Sequence, residues 1–160
     1  MPLTKVQPEM MQQLTPAIMP TGSVIQTVQF VCSNQTSTSN SSFTATNLTA
    51  TITPTSATSK IYISVSSTCT VLYGPQQGQY TIYRNNTTNL GSGASSAFNV
   101  NQPSGSGTYN WVPLVINYLD SPATTSATTY TLYIAATGGA TVYANWSSYA
   151  STITLQEIHG

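Results

Sequence analysis

The chain has 160 residues, and only 4% of them are charged: three basic and three acidic, for a net charge of zero at pH 7. Soluble domains of ordinary composition carry about 25% charged residues. A surface so poor in charge cannot track a phosphate backbone, which excludes nucleic acid as a partner, and it offers few groups for acid–base chemistry, which points away from an enzyme. Yet 39% of the residues are hydrophobic, and they alternate with Ser and Thr. That is a sheet-forming pattern, not a disordered polar tract.

Residues 1–20 differ from the rest. Met1, Met10, Met11 and Met19 are all four of the methionines, and Pro2, Pro8, Pro16 and Pro20 punctuate the segment. Met10 to Leu14 is too short for a stable isolated helix. The segment reads as an anchoring arm, with Met10, Met11, Leu14, Ile18 and Met19 as its apolar contacts, because adaptable Met side chains suit docking along a partner surface. No charged stretch followed by an apolar run marks a secretory signal at the N-terminus, and no apolar run approaches the roughly 20 residues of a membrane span.

Residues 21–160 read as one β-sandwich domain. Ser23 to Cys32 is the first strand, with Val24, Val28, Phe30 and Cys32 on one face. Ser33 to Ser41 is a polar loop. Phe43 to Thr53 is a strand stopped by Pro54. Lys60 to Tyr73 has the clearest alternation: Ile61, Ile63, Val65, Cys69 and Val71 against Tyr62, Ser64, Ser66, Thr68 and Thr70. Gln79 to Arg84 enters a hairpin turn at Asn85-Asn86 and returns through Thr87 to Leu90. Gly91 to Gly107 is a long loop. Thr108 to Leu119 contains Pro113, which places it at a sheet edge or bulge. Thr128 to Thr137 and Ala140 to Trp146 pair around Gly138-Gly139 as a second hairpin, and Tyr149 to Ile158 closes the chain. About eight strands and no convincing helix indicate an all-β, jelly-roll-like antiparallel sandwich with an extended N-terminal arm.

Sheet edges are normally guarded by charge. Here only Lys5, Lys60 and Arg84 are available, so the edges call for cover by a partner, and a closed homo-oligomer is expected. Cys32 and Cys69 fall in phase with the apolar face. They read as two buried thiols, with a disulfide as the alternative.

The segment Trp111-Val-Pro-Leu-Val-Ile-Asn-Tyr-Leu-Asp-Ser-Pro122, the Thr-rich strand up to Tyr133, Gly139 to Asn145 and Ser151 to Ile158 resemble a family of tailed-phage virion proteins common in cyanophages, usually fibre-like or surface-decorating modules. Met19 to Gln26 and Ile52 to Ile61 are similar to its opening strands, so the resemblance covers nearly all of residues 19–158. It implies a trimeric β-sandwich on a phage particle, in contact with the major capsid protein or other virion proteins. It brings no catalytic residues. A long fibre's shaft, heptads and repeats are absent from the sequence, which favours a capsid-surface protein over a tail fibre.

The remaining chemistry is sparse. No catalytic, cofactor-binding or metal-binding set is expected. His159, the penultimate residue, reads as part of a frayed end. Asp120 and Glu157 are not expected to meet as a glycosidase pair; Asp120 reads as capping the turn at Ser121-Pro122, and Arg84 and Lys60 as pairing with acids or lying along the sheet rim. Four Asn-x-Ser/Thr matches, at Asn34, Asn47, Asn86 and Asn145, are expected by chance in so Asn-, Ser- and Thr-rich a chain. Trp111 and Trp146 read as core or subunit-interface residues. Tyr62, Tyr83, Tyr133 and Tyr143 fall out of phase with the core and are the candidate surface-contact residues, facing solvent, a partner or a host-surface glycan. Two functions fit. The first is a non-enzymatic capsid-decoration or cement protein, made in the host cytoplasm and carried on the virion. The alternative is a tail-fibre or head-fibre tip, whose loops at 34–41 and 92–107 bind host glycan.

Overall fold

Alternation at period two builds two antiparallel sheets packed face to face in a computed structural model, which describes residues 19–72, 77–91, 98–101 and 109–160. The six-stranded sheet A contains β1 (Val24–Cys32), β2 (Thr36–Thr38), β4 (Lys60–Leu72), β8 (Tyr109–Asp120), β10 (Thr141–Ala144) and β11 (Ser151–Ile158). The five-stranded sheet B contains β3 (Thr44–Ile52), β5 (Gln77–Arg84), β6 (Thr88–Asn89), β7 (Phe98–Asn101) and β9 (Thr128–Ala136). From β2 to β5 and from β7 to β10 the chain changes sheet at every connection, as in the expected jelly-roll-like sandwich. The anchoring residues Met10, Met11, Leu14 and Ile18 lie outside the described residues. Met19 is described and half-buried.

The long strand β4 organises sheet A. From Ile61 to Leu72 it pairs with β8 on one side. On the other, residues 60–66 pair with β11 and residues 69–72 with β10. Ile61, Ile63, Val65, Cys69 and Val71 all face inward and are buried, as the alternation predicts. Ile153 and Leu155 of β11 and Leu114 and Ile116 of β8 extend this surface. Leu48 and Ile52 of β3, Tyr130, Leu132 and Ile134 of β9, and Tyr80 and Ile82 of β5 meet it from sheet B. β8 pairs only with β4 among the described strands, so the Pro113 strand is at an edge, as expected.

Several expectations are corrected. Gly138-Gly139 does make a turn, with both glycines at positive φ (60° and 85°), but it is not a hairpin turn. β9 already has β3 and β5 on its two edges. No edge is left for β10, so the turn carries the chain across to sheet A, where β10 pairs with β4 and β2. Strands β2 and β7 arise inside segments read as loops. Val24 and Phe30 are exposed, not core. A register shift between Val24 and Gln26 sets Val24 opposite the outward Ile158, and Phe30 sits on β1, which pairs with β11 alone among the described strands. His159 is not frayed: its N–H donates to the Ser23 carbonyl and its carbonyl accepts from the Gly22 N–H, both at 2.8 Å. The Asn85-Asn86 turn does form, with φ of 51° and 58°, and β6 returns along β5.

Both cysteines are buried free thiols. Burial pushes the Cys69 thiol up to about 12, partly opposed by a hydrogen bond with Tyr80. Among the described residues no helix is long and apolar enough to cross a membrane.

The sheets are also tied by charge. Arg84 on β5 reaches across to Asp120 at the end of β8, with its Nη1 donating to both carboxylate oxygens at 3.0 and 2.9 Å. The Tyr130 hydroxyl of β9 donates to the same carboxylate at 2.7 Å. Replacing one member of a buried pair leaves the other uncompensated, which costs about 3–5 kcal/mol in full burial. The Arg84 side chain is 24% exposed, so R84M is expected to lose about 2–4 kcal/mol of unfolding free energy, and R84M/D120N to recover part of it. Denaturant midpoints of the three proteins measure this; an R84M midpoint equal to the parent's would show that the pair does not brace the sandwich.

Candidate functional site

Asp120 and Glu157 are brought closer than the sequence reading allowed. Both lie opposite Ile61 of β4, one from each side, in a single inward-facing row. Two inter-strand spacings separate them, roughly 10 Å between Cα atoms. Both side chains are buried and taken up by structural partners. Glu157 accepts from Gln26 Nε2 at 2.6 Å, and from the Thr55 N–H and hydroxyl at 2.7 and 2.8 Å. Asp120 is held by Arg84 and Tyr130, not by the turn at Ser121-Pro122. A glycosidase needs one carboxyl able to give a proton and another open to sugar or water; these two carboxylates instead seal one end of the sandwich. Burial and the hydrogen bond to Asp120 push the Tyr130 pKa up, so that hydroxyl stays a donor.

The other end is sealed by neutral groups. Asn145, buried and left-handed (φ 58°), accepts from the Ser67 hydroxyl at 3.0 Å and donates to the Asn34 carbonyl at 3.0 Å. Ser151 joins through Ser67 at 3.0 Å. The match at Asn145-Trp-Ser147 is thus an internal polar node and cannot carry a glycan in the folded protein.

The candidate surface grows from this node. A short 3₁₀ turn, Trp146–Ser148, follows Asn145, and Ser147 and Ser148 are again left-handed, with φ of 57° and 62°. Left-handed non-glycine residues cost of order 1–3 kcal/mol each and persist where surrounding contacts determine them. Here Asn145 is fixed from within, and the Ser147 N–H donates to Gln35 Oε1 at 3.2 Å. The turn sets Trp146 edge-on against Tyr143 of β10, with ring centroids 4.5 Å apart. In the sheet register Tyr143 lies opposite Thr70, and Thr70 opposite Trp111 on β8. Trp111, Trp146, Ser147 and Tyr149 line a shallow cleft of about 90 Å³. Trp111 is 65% exposed and Tyr149 62%. The core reading of Trp111 is therefore overturned: it sits on the outward face of an edge strand.

From Trp111 the outward residues of β8 run Pro113, Val115, Asn117, Leu119, and Trp111, Val115 and Leu119 are exposed. The opposite edge of sheet A, β1, exposes Val24, Phe30 and Val31. Between them the outward residues of β4 and β11 are mostly Ser and Thr: Ser64, Ser66, Thr68, Thr152 and Thr154. Lys60, at the margin, is the one charged residue on this outer face among the described residues.

The four surface tyrosines lie on outer faces but do not form one site. Tyr62 and Tyr143 belong to sheet A, eight positions apart along β4 by their register. Tyr83 and Tyr133 belong to sheet B, stacked with centroids 4.2 Å apart, and Phe43 lies 6.0 Å from Tyr83. The Tyr133 hydroxyl donates to Asn86 Oδ1 at 3.2 Å. Beside them, paired hydroxyls run across sheet B, Thr49 with Thr131 at 2.9 Å and Thr51 with Thr129 at 2.7 Å, so that much of this face satisfies itself. Among the described residues no three His, Cys, Asp or Glu side chains converge as metal ligands. The aromatic cleft was not foreseen. Its only sequence signal was an unusual run of Asn-Trp-Ser-Ser-Tyr after a short strand.

No protein-family model and no curated protein matches the chain. Among solved structures it is similar to chains of infectious bursal disease virus. These are the Gt strain (TM-score 0.37, 16% identity, 86% of this chain and 39% of that one), the T13 particle (0.39, 14%, 86% and 37%) and the Gx strain (0.37, 13%, 86% and 38%). The chain thus spans less than two-fifths of each. Likeness at this level identifies no common role.

The carboxylate row makes stability depend on pH. Burial alone would raise the Glu157 pKa, but the hydrogen bonds from Gln26 and Thr55 outweigh it and hold the pKa below the usual carboxylate value. A lowered folded-state pKa contributes stability that is full above the unfolded value, near 4.3 for a glutamate, and is lost as pH falls through the folded value. Below about pH 4.3 the parent is expected to lose stability more steeply than E157Q, which has no proton to take up there. Parallel acid-unfolding curves for the two proteins would contradict this role for Glu157.

Proposed function

We propose that the chain is a non-enzymatic structural protein of a phage virion, decorating or cementing the capsid surface as a homo-oligomer, most simply a trimer. The observation that carries this reading is the outer face of sheet A. It is long, nearly uncharged, rich in hydroxyls, and bounded by the apolar edge strands β1 and β8, which carry no lysine to prevent pairing. Arg84, one of the few cations that could have guarded an edge, is committed inward to Asp120. Faces and edges of this kind belong to proteins that work assembled. The sequence resemblance to tailed-phage virion proteins supplies the particle. Residues 1–20, rich in Met and Pro, serve as the arm that docks on the major capsid protein.

The exposed aromatic cleft favours a second reading, a fibre tip that attaches to host-surface glycan. Copy number per particle separates the two: high for decoration, low for a fibre. Deleting residues 1–18 is expected to leave a folded sandwich that no longer joins particles. Incorporation of the truncated protein at normal occupancy would rule out the arm as the attachment element.

A further inference from the structure

We propose that the cleft between Trp111, Trp146 and Tyr149 binds a single ring of a neutral saccharide. The inference concerns the isolated protein and holds whichever particle position the chain occupies. Its basis is the chemistry of the walls. Trp and Tyr present a flat apolar face with an N–H or O–H at the rim. A pyranose presents the complement: an apolar C–H face, with hydroxyls around its edge. Ser147 adds a hydroxyl to the same wall. At about 90 Å³ the cleft lies well below the roughly 300–1,000 Å³ of sites for drug-sized ligands. It suits one ring, with the rest of an oligosaccharide running along the hydroxyl-rich outer face.

Charge selects against other ligands. No lining residue is charged. Lys60 starts β4 at the far end from Thr70, ten positions away, which is roughly 33 Å along an extended strand. Arg84 is held by Asp120. Among the described residues, an anion would find no counter-charge here, and a cation no carboxylate.

The cleft is also built in advance. Trp146 and Tyr149 flank two left-handed residues, Ser147 and Ser148, and a third, Asn145, directly precedes Trp146. That turn is locked from beneath by the Asn145–Ser67–Ser151 hydrogen bonds. Such strain clusters at ligand sites, where it holds groups in a binding geometry before the ligand arrives. Thr68 and Thr70, in the same end of β4, have buried hydroxyls with no hydrogen-bond partner among the described residues. Unpaired buried groups of this kind are uncommon, and these two lie in the register rows of Pro113 and Trp111. A second copy of the chain would meet this place differently, since a stable protein interface covers about 800 Å² per partner, far more than the cleft offers.

The test titrates the full chain with a panel of neutral oligosaccharides (gluco-, manno-, galacto- and N-acetylglucosamine oligomers), read by tryptophan fluorescence and calorimetry. Saturable binding is expected to at least one of them, unchanged by high salt because no charge takes part. Trp111→Ala and Tyr149→Ala should each weaken it by about tenfold. Trp111→Phe, which keeps a ring, should retain most of it. Both residues are exposed, so the variants should keep the parent's sheet signal; if either alanine protein fails to fold, the Trp111→Phe and Tyr149→Phe proteins carry the comparison. No saturable response to any member of the panel overturns the proposal. So does binding that both alanine substitutions leave intact, and so does a tryptophan signal that follows protein concentration instead of sugar, which would make the cleft an interface between copies.

Discussion

Asp120 closes the sandwich at one end, and much of the architecture follows from how it is satisfied. A carboxylate facing inward from sheet A must find partners in sheet B or remain a costly buried charge. It takes Arg84 from β5 and Tyr130 from β9, one strand apart, and so fixes sheet B laterally over sheet A. In the same inward row, across Ile61, Glu157 fixes the β3 side through Thr55. The two carboxylates act as end braces where a purely apolar sandwich of this pattern could slide. The apolar middle supplies the drive to fold, and these contacts set the alignment.

That arrangement has a consequence for the surface. With Arg84, Asp120 and Glu157 turned inward, the described exterior has almost no charge with which to resist association. Sheet B partly answers this by pairing its own hydroxyls and stacking Tyr83 on Tyr133. Sheet A does not. Of its edge strands, β1 and β8 both expose apolar side chains, and the third, β2, is only Thr-Ser-Thr. Two unlike edges on one sheet suit a head-to-tail contact that closes into a ring when the rotation allows. The rigid turn at Asn145 adds a shaped aromatic feature at the end of the same face.

The strands with clean alternation were legible. β4 could be read almost residue by residue because its pattern, apolar inward and mostly Ser/Thr outward, is broken inward only at Ser67. Pro113 marked its edge correctly, since an edge strand tolerates the missing N–H. Failures came where the decision was tertiary. Gly138-Gly139 has the composition of a hairpin turn, but whether β10 could pair with β9 depended on edges already filled by strands distant in sequence. β2 is three residues of Ser and Thr, visible only as the partner of β10. Trp111 is apolar and in a strand, yet its parity in the β4–β8 register puts it outside. Asp120 stood before Ser-Pro and read as a turn cap; that Arg84 pairs with an acid was legible, but no spacing in the chain reveals that Asp120 is the one.

The central claim is that the uncharged outer face and edges of sheet A, apart from the aromatic cleft at the Trp111 end, are an assembly surface. Sedimentation equilibrium of the full chain at micromolar concentration, in low and high salt, tests it most directly. The account predicts a closed homo-oligomer, with a mass that is a small whole multiple of 17.0 kDa and unaffected by salt, since apolar and hydroxyl contacts are not screened. A stable 17.0-kDa monomer, or an oligomer that falls apart as salt is raised, would contradict it.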